Sequence, residues 1–220
     1  MNIKSSIANL LFKKKCIFCR RDIRGGGDVC VCLDCMLNLT KEGGFERTLL
    51  DGRRCLYALS YTKPSVAAAI KRFKFNGKIQ YADTLGELIF LCVKDEDLFD
   101  VITYVPCSIL RRISRGYDQS RLLAEHVAKK LDKRATVTLR KIRHNRKQST
   151  LKEEEKAQNV KGAYRAIEKN IIGKRILLID DIVTTGSTIM ECGRTLAEAG
   201  ARSIVYACAA FAGYRKTGRI

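Results

Sequence analysis

A thirteen-residue run near the C-terminus, Ile176 to Thr188 (ILLIDDIVTTGST), constrains this chain more than any other feature. Ile176, Leu177, Leu178 and Ile179 are apolar without alternation, the pattern of a parallel strand covered on both faces. Asp180 and Asp181 follow at its carboxyl end, where open α/β sheets bind ligands. Thr184, Thr185, Gly186, Ser187 and Thr188 then lead into a helical stretch, Ile189 to Ala199, closed by Gly200. Small residues at a helix N-terminus make a phosphate cradle, because the opening-turn amides lack intrahelical partners and carry the positive end of the dipole. Carboxylates accept hydrogen bonds only, so the two acids suit sugar hydroxyls or a hydrated magnesium ion rather than a bare phosphate. Gly186 lets the backbone approach a 5'-phosphate, and the four hydroxyl residues add donors. The combination suits a phosphorylated sugar.

An apolar strand ending in two acids is also the form of a Walker B strand, but that reading requires a G-x-x-x-x-G-K-[ST] loop and the chain has none. The run matches the phosphoribosyl-pyrophosphate motif of type I phosphoribosyltransferases at every position and resembles that family.

A second motif lies near the N-terminus. Cys16 and Cys19 form one C-x-x-C and Cys32 and Cys35 another, separated by a basic segment holding Gly25, Gly26 and Gly27. Two such pairs bring four thiolates into a closed tetrahedral site, so these four cysteines are the expected ligands of a structural zinc ion. Cys30, two residues before Cys32, is a competing ligand; Cys32 is preferred because it restores the C-x-x-C spacing. The apolar patch Ile7 to Phe12 is too short for a membrane span and is flanked by Lys13 to Lys15 on the wrong side for a secretory signal. With ten cysteines and no such signal, reduced thiols in a cytoplasmic protein are expected rather than a disulfide framework.

Between the motifs, strands and helices alternate. Strands are expected at Arg54 to Tyr61, Val101 to Val105, Thr136 to Leu139 and Ser203 to Phe211. Helices are expected at Ser65 to Phe75 behind Pro64, at Ile79 to Val93, and at Gln119 to Leu131. Repeated strand, helix, strand order predicts an α/β fold of type I phosphoribosyltransferase-like form: a mainly parallel sheet with helices on both faces, plus a small N-terminal zinc-ribbon-like module. The expected division is residues 1–53 for the zinc-binding module and 54–220 for the larger domain.

In this order the pieces resemble the ComF family, competence-associated, phosphoribosyltransferase-like proteins with an N-terminal zinc module. The resemblance rests on the paired C-x-x-C, on Ala69 to Gly77 (AIKRFKFNG), on Val105 to Ala124 (VPCSILRRISRGYDQSRLLA) and on ILLIDDIVTTGST. Asp118 stands where the family usually has Asn. Arg143 to Tyr164 also looks like the flexible loop of glutamine phosphoribosylpyrophosphate amidotransferases, although no glutamine-hydrolysing half is expected here.

The resemblance implies binding of phosphoribosyl pyrophosphate with magnesium and transfer of its phosphoribosyl group to an unidentified acceptor, linked to DNA uptake. Asp180 and Asp181 would hold the ribose and Thr184 to Thr188 the 5'-phosphate. Arg111, Arg112, Arg115 and Gln119 would face the pyrophosphate, and Asp180 and Asp181, with Arg146 and Lys147 as lid contacts, would be the catalytic residues. The alternatives are a sensor of phosphoribosyl pyrophosphate and a non-catalytic adaptor handling single-stranded DNA with the competence machinery. A formal net charge of +19 suits a polyanion, and Arg72, Phe73, Lys74 and Phe75 interleave cations with rings that stack on bases.

Overall fold

The computed structural model describes residues 14–23, 28–40, 45–96, 99–143, 158–167, 169 and 171–212. Its centre is a five-stranded sheet of β3 (Phe45–Thr48), β4 (Arg54–Ser60), β9 (Ser203–Phe211), β8 (Arg175–Val183) and β5 (Val101–Tyr104), in that spatial order. Pairings among β4, β9, β8 and β5 are parallel; only the edge strand β3 runs antiparallel, on β4. β3 precedes Arg54, where the larger domain was expected to open.

Period-two burial explains the layers. Leu177 and Ile179 of β8 face one side, with α2 (Pro64–Phe75), α3 (Tyr81–Val93) and α5 (Gln119–Lys130). Ile176 and Leu178 face the other, with Ile189, Cys192 and Leu196 of α6 (Ser187–Glu198). A strand covered on both faces has no polar alternation, hence the continuous apolar run. The expected mainly parallel, doubly covered sheet is what the chain forms.

The N-terminal module comprises the short β1 (Lys14–Lys15) and β2 (Asp22–Ile23) and the helix α1 (Leu33–Thr40). Ile17 and Phe18, inside the first C-x-x-C, are buried in the core that also holds Val66, Ile70 and Phe73 of α2. Arg72 donates to the Ile17 carbonyl at 2.6 Å and Arg20 to the Tyr81 hydroxyl at 2.6 Å. The module is thus packed onto the helices beneath the sheet.

Two elements differ from expectation. In place of a strand at Thr136 to Leu139, Ala135 makes a single parallel bridge to Ile102, and β6 (Leu139–Lys141) pairs with β7 (Tyr164–Ala166) in a separate antiparallel sheet. The Thr138 and Thr103 hydroxyls, 2.8 Å apart, hold the chain at the sheet edge before it turns away. The helix α4 (Ile109–Arg115) is not among the expected elements; Ile109, Leu110 and Ile113 are exposed on it and it buries no residue, and at seven residues it is too short for a helical period to stand out. Its ends are nonetheless marked, by the Ser108 hydroxyl accepting from the Arg111 amide at 3.4 Å and by Gly116 at φ 80°.

Candidate functional site

β8 continues through Asp180 and Asp181 to Val183, because Ile182 and Val183 still pair with Ala210 and Phe211 of β9. The two acids lie within the strand's last turn of pleat, and only Thr184 to Gly186 separate it from α6. Gly186 caps that helix at φ 80°, a left-handed conformation that favours glycine; a Cβ there would sit 3.3 Å from Leu49. The Thr185 and Ser187 hydroxyls are 2.9 Å apart, and Ser187 N–H donates to Thr185 Oγ1 at 3.4 Å. The opening turn of α6 thereby presents hydroxyls and main-chain amides on one rim.

Asp180 and Asp181 are held differently. Asp180 Oδ1 accepts from the Ser120 hydroxyl at 2.7 Å and from the Asp181 amide at 2.8 Å. Asp181, 6% exposed, receives the Lys74 ammonium on Oδ1 at 2.9 Å. Burial, and then the neighbouring Asp181 carboxylate, push the Asp180 carboxyl up to about 7, although Lys74 and the Ser120 hydrogen bond pull the other way. For each acid Oδ1 is engaged by the protein, and Oδ2 has no protein donor among the described residues.

These groups line one cavity of about 420 Å³. All seven residues from the motif named as ligand-binding line it, Asp180, Asp181 and Thr184 to Thr188, as do Arg111, Arg115 and Gln119. Arg112, on the same helix, does not. Arg146 and Lys147 lie outside the described residues. Gln119, 2% exposed, accepts from Arg115 at 3.0 Å and donates to the Lys74 carbonyl at 3.5 Å, so it braces the wall. Asp118, the departure from the family's Asn, accepts from the Cys107 amide at 3.0 Å and the Arg121 amide at 3.3 Å, capping α5. The two contacts fall on different oxygens, Oδ2 and Oδ1, so the carboxylate supplies two acceptors where an Asn side chain has one.

Sequence reasoning missed Lys74, Ser120, Lys141 and Tyr164 as lining residues. Lys141 reaches the cavity from β6, its ammonium 3.4 Å from the Tyr164 hydroxyl and 5.2 Å from the ring centre. Burial, then the nearby Arg111 guanidinium, lower its pKa. With Lys71, Lys74, Arg111 and Arg115, it makes the cavity cationic around the two acids. Cys107 also lines it, but burial and Asp118 push its thiol up to about 12, which removes it as a nucleophile near neutrality.

The basic-aromatic run fares differently from its expected role as a stacking surface. Phe73 is fully buried, Arg72 is turned to Ile17 and Lys74 to Asp181; Phe75 alone is open, 68% exposed, with the Arg115 guanidinium 4.9 Å from its ring centre. Helical phase is the signal that finds this: Val66, Ala69, Ile70 and Phe73 mark the buried stripe, and Lys74 lies beside it.

The sulfurs of Cys16, Cys19, Cys32 and Cys35 lie within 4.8 Å of one another, and those of Cys19 and Cys32 are 3.6 Å apart. Tetrahedral zinc with thiolates at about 2.3 Å separates its sulfurs by about 3.8 Å, so the donor set fits that ion. Cys30 is not in the group; its amide donates to Thr84 Oγ1 at 2.7 Å and its thiol turns to the Asp28 carbonyl at 3.7 Å. The sulfur cluster thus contains Cys32 and not Cys30.

Comparison with known proteins agrees with this geometry. Residues 118–219 match the phosphoribosyl transferase domain family. The chain is 32% identical over 175 residues to competence protein F of Haemophilus influenzae, covering 76% of this chain and 73% of that protein. It is 30% identical over 155 residues to the DNA utilization protein YhgH of Escherichia coli K12, covering 66% of each. To competence protein ComFC of Bacillus subtilis it is 27% identical over 208 residues, covering 86% of this chain and 80% of that one. A phosphoribosyltransferase-type sheet with a four-cysteine cluster packed onto it, and this likeness to competence protein F, place the chain in the ComF family.

Proposed function

We propose that the cavity binds 5-phosphoribosyl pyrophosphate and transfers its phosphoribosyl group to an acceptor. The observation that carries this reading is the paired presentation of Asp180 Oδ2 and Asp181 Oδ2 beside a helix-capping loop. Two adjacent acceptors suit the 2'- and 3'-hydroxyls of a ribose, and the amides and hydroxyls of residues 184–188 suit the 5'-phosphate. Arg111, Arg115 and Lys141 are cations for the pyrophosphate. In the reaction the bond from C1 to the pyrophosphate oxygen breaks with its electron pair leaving on pyrophosphate, while a lone pair of the acceptor forms the new bond to C1. The protein contributes positioning and fixed charge: the cations take up the leaving group's developing charge and the acids face a ribose that becomes positive. Magnesium, when bound, would neutralise phosphate oxygens. Asp181 is already occupied by Lys74, so the ion would be held chiefly by the ligand's own oxygens.

The four cysteines are proposed to carry structural zinc, with no open position for substrate. The names of the relatives connect those proteins with competence and DNA utilization, and we carry that setting to this chain as a proposal. A second reading, an adaptor for single-stranded DNA, is favoured by the exposed Phe75 with Arg115 beside it. No described helix is long and apolar enough to cross a membrane.

Calorimetry with phosphoribosyl pyrophosphate and magnesium tests the first reading. Asp180→Asn with Asp181→Asn is expected to weaken binding at least about tenfold, since hydrogen bonds to charged acceptors contribute roughly 1.5–3 kcal/mol each. No heat with the wild type would remove the ligand reading. Binding with no pyrophosphate released over a panel of nucleobases and amines would leave a sensor, and a flat salt dependence of single-stranded DNA binding would remove the adaptor.

A further inference from the structure

We infer that Lys74 is the resident counter-ion of the acid pair, so that the sugar-hydroxyl end of the cavity works without a divalent cation and any magnesium requirement is confined to the pyrophosphate end. The inference rests on the phosphoribosyl reading and deepens it. Lys74 Nζ lies 2.9 Å from Asp181 Oδ1, with the two side chains 20% and 8% exposed. Its backbone is fixed from both sides: the Lys74 carbonyl accepts from Gln119 Nε2 at 3.5 Å, and the preceding Phe73 carbonyl accepts from the Tyr117 hydroxyl. The amine is therefore aimed at the acids by packed structure and is not a solvent-facing lysine waiting for a polyanion.

The local charge makes the consequence. Two neighbouring carboxylates in a half-buried place repel one another, and one protonates unless a cation is supplied. Here the Lys74 ammonium on Asp181 offsets part of that repulsion, although the Asp180 carboxyl is still held above its ordinary range. A hydrated magnesium ion needs room for an octahedral shell, and at this spot it would also stand a few ångströms from an ammonium. With Oδ1 of each acid held by Ser120, the Asp181 amide and Lys74, what is offered outward is a pair of acceptor oxygens matched to a neutral diol.

The test uses the full zinc-loaded chain and ribose 5-phosphate, which carries the diol and the 5'-phosphate but no pyrophosphate. Titrations are run in magnesium-free buffer and again with millimolar magnesium. The wild type is expected to bind with dissociation constants within about twofold of each other in the two buffers. Lys74→Met is expected to bind about tenfold weaker without magnesium, one charge-assisted arrangement having been lost, and to regain part of that when magnesium is added. Lys74→Arg, which keeps the charge, should stay near the wild type, and thermal melts confirm that each variant folds. Wild-type binding that requires magnesium, or Lys74→Met binding as well as the wild type without it, overturns the inference. If ribose 5-phosphate fails to bind the wild type in either buffer, the phosphoribosyl reading falls first and takes the inference with it.

Discussion

Replacing Asp180 with Asn isolates an electrostatic cost that the fold maintains at the cavity. In the folded chain the Asp180 carboxyl titrates at about 7, against a reference of 3.8, through burial and the charge of Asp181. Since the folded pKa is raised, the folded state holds the proton more tightly than the unfolded state. The contribution is fully favourable below about pH 4 and is lost as pH rises through about 7. A displacement of this size corresponds to at most about 4 kcal/mol, and solvent at the cavity mouth reduces it to roughly 2–4 kcal/mol. Asn keeps an oxygen for Ser120 and the Asp181 amide and has no charge to bury. Urea unfolding of wild type and Asp180→Asn at intervals from pH 4 to pH 8.5 reads the effect, and taking the difference cancels carboxylates common to both, such as Asp100 beside Arg175. The variant should gain on the wild type steadily between pH 4 and pH 7 and level off above. A difference that stays constant across this range would refute the reasoning, because Asp180 would then be ionised at no cost.

Three further outcomes follow from contacts elsewhere. A Cβ at Gly193 would lie 1.9 Å from the Tyr206 hydroxyl, which passes α6 to reach Asp51 at 2.5 Å; Gly193→Ala should cost about 1–3 kcal/mol in chemical denaturation, and Tyr206→Phe should recover part of it in the double variant. On the proposal that the four cysteines carry zinc, a chelator should lower the melting temperature of the whole chain in one cooperative step, since Ile17 and Phe18 share the core of α2 and α3; an unchanged transition would show the cysteines to be structurally idle. Asp118→Asn keeps only one of the two acceptor oxygens and should cost about 0.5–1.5 kcal/mol, whereas Asp118→Ala, which keeps neither, should cost more, roughly 2–3 kcal/mol, both read from denaturation midpoints.

The features legible from residue order were those set by local chemistry. A run such as Ile176 to Ile179 fits a parallel strand covered on both faces, and the small residues before Ile189 announce the start of a helix, which Gly186 caps. Cysteine spacing likewise pointed to four of the ten thiols, and the sulfur geometry agrees. What was not legible depends on pairing at a distance. Lys74 is a surface lysine by composition and a half-buried ion-pair partner of Asp181 only through the placing of the end of α2 beside β8. Lys141 enters the cavity because β6 leaves the sheet edge to pair with β7, which no periodicity in Thr136 to Lys141 announces. Arg111, Arg112 and Arg115 look alike in the chain, and the winding of a seven-residue helix puts Arg111 and Arg115, four apart, on the cavity side and Arg112 off it.

The most direct test of the central claim is the position of phosphoribosyl pyrophosphate in a crystal of the wild-type chain grown with the ligand. The account predicts density with the ribose hydroxyls within hydrogen-bond distance of Asp180 Oδ2 and Asp181 Oδ2 and the 5'-phosphate over residues 184–188. The pyrophosphate is predicted to lie toward Arg111 and Lys141. Ligand bound elsewhere, or a cavity holding only solvent at saturating concentration, would contradict it.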